Sequence, residues 1–403
     1  MKVLLINNCH FRRGGAETVY FETAELLLKA GHKVVFLSFE DENNIHTGQP
    51  EYFVRRENFF KSVIAYFSNK SAARVIEEVI EKEKPDIAHA HLMWGGMTAS
   101  IIPVLHKHGI PLVHTAHDYR MICPAYTFKN GRGEICEKCK GEHYAECVKN
   151  RCCKGSLVQS AIMAAEMKYR NVRWHPAKVL DGIIYVSQFA RNKHLEIDPL
   201  FAKTKSFVLY NCTNKAANKE KCRGDYFLYF GRLSHEKGVE MVIDVFRQSP
   251  GQRLIVVGTG PLEGTLKNNS AGSSQIEFWG YKKGKELQKI ISDANFVIVP
   301  SQWYENNPMT IVESYALGTP VIGSDLGGIP EIINDGATGY IFNHESRDSL
   351  MDIINAATNI TDQEYLNMTE NARTFYNNNF TEDGYAAKLV GFYKEVIEQW
   401  KSC

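Results

Sequence analysis

The chain lacks any apolar run approaching the ~20 residues of a membrane-spanning helix. Its first residues, Met1-Lys2-Val3-Leu4-Leu5-Ile6-Asn7, reach polar Asn7 after four apolar side chains. A secretion signal needs a longer apolar core, so the expectation is a cytoplasmic protein. Pro/Gly/Ser-rich and repetitive stretches are also missing. With 44% hydrophobic and 23% charged residues, the composition excludes a disordered chain. The formal net charge of +1 leaves no overall basic excess of the kind a nucleic-acid binder carries, and no nucleic-acid partner is expected. The sequence contains no Asp-x-Asp pair for a divalent metal and no G-x-G-x-x-G dinucleotide fingerprint.

What is present is a 403-residue chain, too long for one typical domain. Near-neutrality hides an asymmetry: residues 1–205 sum to +7 and residues 206–403 to −6. A basic first half suits an anionic partner, either a phosphorylated acceptor or an anionic membrane, although solvated charge with no target explains it equally well.

The opening reads strand, loop, helix. Lys2–Ile6 is an apolar run, residues 7–15 are polar and contain glycines, and Ala16–Ala30 has helical spacing ending at Gly31. Strand-like runs recur at Lys33–Ser38, Pro85–His91, Pro111–His114, Gly182–Ser187 and Phe207–Tyr210, with helical segments between them. Short apolar strands alternating with helices predict a parallel sheet covered on both faces. Cys212–Asp225 is polar and weakly periodic, the best linker candidate. The pattern then restarts with Tyr226–Phe230, Arg253–Val257, Gln275–Trp279, Asn295–Val299 and Pro320–Ile322. The predicted class is α/β, with two Rossmann-like doubly wound domains facing across a cleft. The first covers residues 1–205, with a cysteine-rich insertion at about 121–155. The second covers 206–385, and a helix over 386–403 crosses back to the first.

Four segments at predicted strand ends carry chemistry, the place where ligands sit in such sheets. Gly14-Gly15-Ala16-Glu17 lets backbone N–H groups approach an anion at a helix N-terminus, though a tight turn uses the same residues. Phe230-Gly231-Arg232-Leu233-Ser234-His235-Glu236-Lys237-Gly238 sets two cations beside glycines, suited to a diphosphate or simply exposed to solvent. In Pro300-Ser301-Gln302-Trp303-Tyr304-Glu305-Asn306-Asn307-Pro308-Met309-Thr310-Ile311-Val312-Glu313, Pro308 fits a first helical turn. Glu305 then precedes the helix, the Met309 and Thr310 N–H groups open it, and Glu313 falls one turn inside. Two carboxylates so placed accept hydrogen bonds from sugar hydroxyls. Gly258-Thr259-Gly260-Pro261 reads as a strand-to-helix turn lining the cleft.

This ordered set, with His117-Asp118, Pro300-Ser301 and Gly327-Gly328-Ile329-Pro330-Glu331, resembles glycosyltransferase family 4 over nearly the whole chain except the cysteine-rich segment. The most specific element is a glutamate, seven residues and a second glutamate, met by Glu305 and Glu313. The resemblance implies a retaining nucleotide-sugar glycosyltransferase of GT-B fold, moving a hexosyl or N-acetylhexosaminyl group with no cofactor and no metal at the reaction centre. It implies that Arg232 and Lys237 bind the donor diphosphate, Glu305 the donor sugar and Glu313 the ribose. It also implies that Gly14 and Gly15 sit by the phosphates, that His117 lines the sugar pocket, and that Gly231, Gly258, Asn306, Asn307, Met309 and Thr310 complete the donor site. A UDP-sugar is the expected donor, a GDP-sugar the alternative. The acceptor implied is a saccharide or a lipid-linked saccharide in surface polysaccharide or glycoconjugate assembly. Asp118 is either a base for the acceptor or a loop cap, and the cap is the preferred reading.

Two rivals share the fold. A nucleotide-sugar 2-epimerase needs different acid/base groups, and the paired-glutamate loop favours transfer. A non-catalytic sugar-nucleotide-binding subunit should have lost Lys237 or Glu305.

Residues 51–78 combine Phe53, Phe59, Phe60, Val63, Ile64, Tyr66 and Phe67 with Arg55, Arg56, Lys61, Lys70 and Arg74. Such a stretch either lies in a membrane interface, making the protein peripheral to the cytoplasmic face, or is ordinary core. Lys168–Lys178 with Trp174 adds a second basic segment. Six of the ten cysteines fall between Cys123 and Cys153. Cys136-x-x-Cys139 matches half of a structural zinc site that Cys147 and Cys152 could complete, with free thiols as the alternative.

Overall fold

The computed structural model describes residues 1–56, 59–213 and 222–402. Most of the linker candidate, residues 214–221, and the side chains of Phe59, Phe60 and Lys61 lie outside the described residues. The chain divides into two compact units, Met1–Leu209 with Tyr385–Cys403, and Tyr210–Gly384.

The first unit is built on seven parallel strands: β1 (Lys2–Ile6), β2 (Lys33–Phe39), β3 (Glu51–Val54), β4 (Ile87–Ala90), β5 (Leu112–Ala116), β6 (Gly182–Tyr185) and β7 (Ser206–Val208). Their order is β3-β2-β1-β4-β5-β6-β7. β7 pairs with β6, so the first unit runs past the expected boundary at residue 205. β1 explains the parallel arrangement: Val3, Leu4, Leu5 and Ile6 are all fully buried, which requires cover on both faces of the sheet. The helix Glu382–Lys401 supplies part of that cover from its first-unit residues. Phe392 stacks on Phe207, and the Tyr393 hydroxyl meets His89 Nδ1 at 2.5 Å. A Cβ on Gly182 would press against Phe392 and Val396 at 3.0 Å, so this helix lies directly on β6.

The second unit has six parallel strands: β8 (Phe227–Phe230), β9 (Leu254–Val257), β10 (Ile276–Gly280), β11 (Phe296–Val299), β12 (Val321–Ser324) and β13 (Gly339–Phe342). Their order is β10-β9-β8-β11-β12-β13. Strand alternation divides each strand between two cores. Leu228, Ile255, Val257 and Val297 join one apolar cluster, while Phe227, Tyr229, Val256 and Ile298 join the other. Each fully buried Val, Leu or Ile contributes roughly 1.5–3 kcal/mol toward holding the sheet between its two helical layers.

Both sheets start at a central strand, wind outward, then return to its other side. This creates a topological switch point between β1 and β4 and another between β8 and β11, where strand ends splay and ligands gather.

Candidate active site

In the second unit the two loops that leave the switch point meet. The loop after β8 carries Lys237, and the loop after β11 carries Glu305. Lys237 Nζ donates to Glu305 Oε1 at 2.5 Å, and Ser301 Oγ donates to the same oxygen at 2.8 Å. The Lys237 ammonium also lies 5.2 Å from the centre of the Trp303 ring. Glu305 is only 8% exposed. Burial alone would raise its pKa, but the Lys237 charge and these hydrogen bonds outweigh it and hold the carboxyl below the ordinary glutamate value. The site is therefore a preformed, desolvated ion pair whose cation keeps 30% side-chain exposure.

Glycines explain how two loops come this close. Gly238 has φ +68°, and a Cβ there would fall 1.9 Å from the Pro300 carbonyl oxygen. A Cβ on Gly328 would fall 2.1 Å from the Asn306 carbonyl oxygen, and the Gly328 N–H donates to the Glu305 carbonyl at 2.7 Å. Backbone thus packs on backbone at both ends of the Pro300–Pro308 loop, and any side chain would push the loops apart. Gly258 behaves alike: a Cβ there would meet the Gly231 carbonyl oxygen at 1.9 Å. Gly258-Thr259-Gly260-Pro261 is a turn zipped to the Gly231–Leu233 turn, with Leu233 N–H donating to the Thr259 carbonyl.

Arg232 is exposed on that turn, its carbonyl fixed by the Tyr229 hydroxyl at 2.7 Å. The helix Met309–Ala316 begins one residue later than the sequence suggests, with Pro308 in extended backbone as its N-cap. No side chain caps it, and the N–H groups of half-buried Met309 and Thr310 have no hydrogen-bond acceptor among the described residues. Glu313 is half-buried in the same helix, and Asn306 lies on the loop beneath Gly328. Asn307 faces elsewhere. It is buried, and its Oδ1 accepts from the Asn211 N–H at 2.8 Å, so its visible role is to tie this loop to the segment after β7.

Gly14, Gly15 and His117 lie in the first unit. Gly14 is the uncapped N-cap of the helix Gly15–Lys29, which follows β1. Near it Glu17 is buried, and that burial raises its carboxyl pKa. His117 follows β5, stacks on His91 and meets its Nδ1 at 2.9 Å. Burial pushes the His117 pKa down to about 3, so the ring is neutral. Sequence reading missed its neighbours His89, His91 and His114, all buried and all shifted down by burial and mutual repulsion. The signal was available, because His89-x-His91 and His114 alternate on strands that pair side by side. Asp118 Oδ1 accepts the Arg120 N–H at 2.9 Å, a loop-capping contact.

The insertion brings several of its free thiols together: Cys147 lies beside Cys152 and Cys153, and Cys152 beside Cys136. Among the described residues no three His, Cys, Asp or Glu side chains are arranged to hold a metal ion. The zinc expected at Cys136, Cys139, Cys147 and Cys152 therefore finds no ligand set here.

Comparison with known proteins agrees with the arrangement of sheets and loops. The pattern of the family described as "Glycosyltransferase Family 4" matches residues 13–216, half of the chain, and that of "Glycosyl transferases group 1" matches residues 213–375. The chain belongs to glycosyltransferase family 4. Its two Rossmann-like units are those of the GT-B fold. This glycosyltransferase is similar to a Klebsiella pneumoniae protein described as "Uncharacterized 42.6 kDa protein in cps region", with 22% identity covering 82% of this chain and 87% of the relative. It is also similar to the Salmonella typhimurium "Lipopolysaccharide 1,2-N-acetylglucosaminetransferase", with 29% identity over 43% of this chain and 48% of that enzyme. Among solved structures, Anabaena HepE in complex with UDP superposes with a TM-score of 0.71 at 16% identity, covering 98% of this chain and all of the other.

Proposed function

We propose that this glycosyltransferase transfers a sugar from a nucleotide-sugar donor, a UDP-sugar, to a lipid-linked saccharide in surface polysaccharide or glycoconjugate assembly. It does so with retention at the anomeric carbon, without a catalytic metal, at the cytoplasmic face of a membrane. The observation that carries the reading is the Lys237–Glu305 pair at the β8/β11 switch point. A departing nucleoside diphosphate gains negative charge as the sugar–phosphate bond breaks, and needs fixed positive charge where that charge develops. Lys237 supplies an aimed ammonium, Arg232 a free-standing guanidinium, and the uncapped Met309–Thr310 N–H groups two further donors. Together they take the place of a divalent cation. The UDP bound by the Anabaena relative and the lipopolysaccharide N-acetylglucosaminyl transfer named for the Salmonella relative support the choice of donor and pathway class.

Glu305 first serves to hold Lys237, with its sugar contact made from the same loop, while Glu313 grips the ribose from the helix. The test is slow hydrolysis of a panel of UDP- and GDP-sugars in the presence of EDTA, with folding followed in parallel. Hydrolysis of one donor class without metal supports the reading, and turnover that needs added magnesium or manganese sinks it.

A further inference from the structure

The most exposed large apolar side chains of the first unit gather on one surface. Val172 is 76% exposed, Ile64 70% and Val158 66%. Val158, Ile162, Ala165, Tyr169 and Val172 recur at steps of four and three along the helix Leu157–Trp174, so they form one stripe on its outer side. The inner side buries Ala164, Met167 and Arg170. Arg170 is 2% exposed and bonded to Glu166, which removes it from the basic surface that the sequence suggested over 168–178.

The helix Phe59–Phe67 lies alongside. Phe67 meets Tyr169 edge to face at 5.8 Å, and the Tyr66 hydroxyl reaches Met163 Sδ at 2.7 Å. Val63 and Ile64, one turn before Phe67, extend the apolar surface onto this second helix.

Charge identifies what covers it. The helix Leu157–Trp174 has one acidic residue, Glu166, and that residue is buried against Arg170. Of its exposed cations Lys168 pairs with Glu142 at 2.6 Å, while Arg173, and Lys154 just before the helix, are exposed with no ion pair among the described residues. Two copies packed through this face would set like charges together, whereas an anionic lipid surface complements them and accepts the apolar stripe. Tyr169 and half-buried Trp174 have the amphipathic rings that favour such an interface.

Beside the stripe opens a cavity of about 480 Å³, lined by Tyr66, Arg120, Tyr126, Lys154, Ile162 and Met163 among others. Ile162 belongs to both stripe and cavity. Arg120 is fixed by the Tyr66 hydroxyl at 3.1 Å and lies 4.3 Å from the centre of the Tyr126 ring.

We propose that this two-helix face seats on an anionic bilayer, with a lipid phosphate group entering the cavity beside Arg120 and Lys154. The inference deepens the reading of a membrane-side enzyme and rests on it for its purpose, not for its chemistry. The test is co-sedimentation of the full chain with phosphatidylcholine vesicles, with and without phosphatidylglycerol, for the wild type, Ile64→Glu/Val172→Glu and Lys154→Glu. All substituted side chains are exposed, so folding should survive. Wild type should bind the anionic vesicles, more weakly as salt rises. The double variant should lose roughly a hundredfold, since each apolar side chain withdrawn from the interface is worth about tenfold. Lys154→Glu should lose preference for phosphatidylglycerol. Wild type that ignores anionic vesicles overturns the proposal, as does a double variant that binds undiminished. Light scattering that finds a dimer split by the double variant would assign the face to self-association instead. Hydrolysis of UDP-sugar in free solution, measured on the same samples, should be equal in all three. Its absence alongside intact vesicle binding would sink the transferase reading and leave this one standing.

Discussion

Lys237→Ala separates what the ion pair does for the fold from what it does for the reaction. Removing the ammonium leaves Glu305 buried, with Ser301 still donating to it. Breaking a fully buried pair by deleting one partner costs about 3–5 kcal/mol. Lys237 keeps 30% side-chain exposure, so solvent screens the pair and about 2–3 kcal/mol is the expected cost. The variant should fold but unfold at lower urea. Part of the loss should return in Lys237→Ala/Glu305→Gln, where no charge is stranded, giving a coupling that additivity cannot produce.

Turnover should behave differently. Lys237 acts where diphosphate charge develops, so kcat for donor hydrolysis should fall on the order of a hundredfold or more, comparable to losing one oxyanion donor. The double variant should recover stability without recovering turnover. Glu305 also sets a pH signature. Its folded pKa lies below its unfolded value, so the stability it contributes is full above the unfolded glutamate pKa and is lost as pH falls through the folded one. Lys237→Ala should abolish that acid limb, because burial alone then favours the protonated acid. The assays are urea titration across pH and steady-state donor hydrolysis on the three proteins. Turnover within a few-fold of wild type in folded Lys237→Ala would show that the ammonium does not stabilise the departing diphosphate.

Glu313→Gln should mainly raise the donor KM with kcat preserved, because a ribose contact is made equally before and during reaction; steady-state kinetics check this. Gly328→Ala should lower turnover and stability together, since its Cβ would meet the Asn306 carbonyl oxygen at 2.1 Å and displace the Glu305 loop; thermal melts and hydrolysis rates check both. The first unit should lose stability as pH falls below about 6.5, because His89, His91, His114 and His117 are held neutral in the fold while the unfolded chain protonates them. Each contributes a slope of up to about 1.4 kcal/mol per pH unit between its two pKa values, and His89→Phe should flatten the urea-midpoint profile. Metal analysis of protein prepared under reducing conditions should find no stoichiometric zinc in the cysteine-rich insertion.

The repeated strand and helix pattern was legible because fully buried strands write themselves as continuous apolar runs. Leu254–Val257 and Phe296–Val299 have no other stable reading than the middle of a covered sheet. β3 and β13 were missed for the opposite reason. Both are edge strands with half-exposed residues, and Glu51-Tyr52-Phe53-Val54 reads equally well as an amphipathic segment. Both readings of residues 51–78 find support within the stretch: Phe53 packs at 5.5 Å on the buried His10 ring as part of the sheet, whereas Val63 and Ile64 are exposed.

The site was legible where chemistry dictates the residue type and illegible where geometry does. Lys237, Glu305 and Glu313 could be singled out because a cation and two carboxylates at strand ends have few structural uses. Their mutual contact could not, since it depends on how far two loops penetrate one another. That penetration is written in Gly238 and Gly328, whose missing side chains are the physical condition for Lys237 to reach Glu305 at 2.5 Å. Read alone, each glycine is a turn residue. Placed against the Pro300 and Asn306 carbonyls, each becomes a spacer that sets the distance between a cation and its counter-ion, and hence where positive charge waits for a leaving diphosphate. A chain that kept Lys237 and Glu305 but replaced both glycines would retain the motif's chemistry and lose its geometry. In this chain the glycines are therefore as informative about the site as the charged residues are.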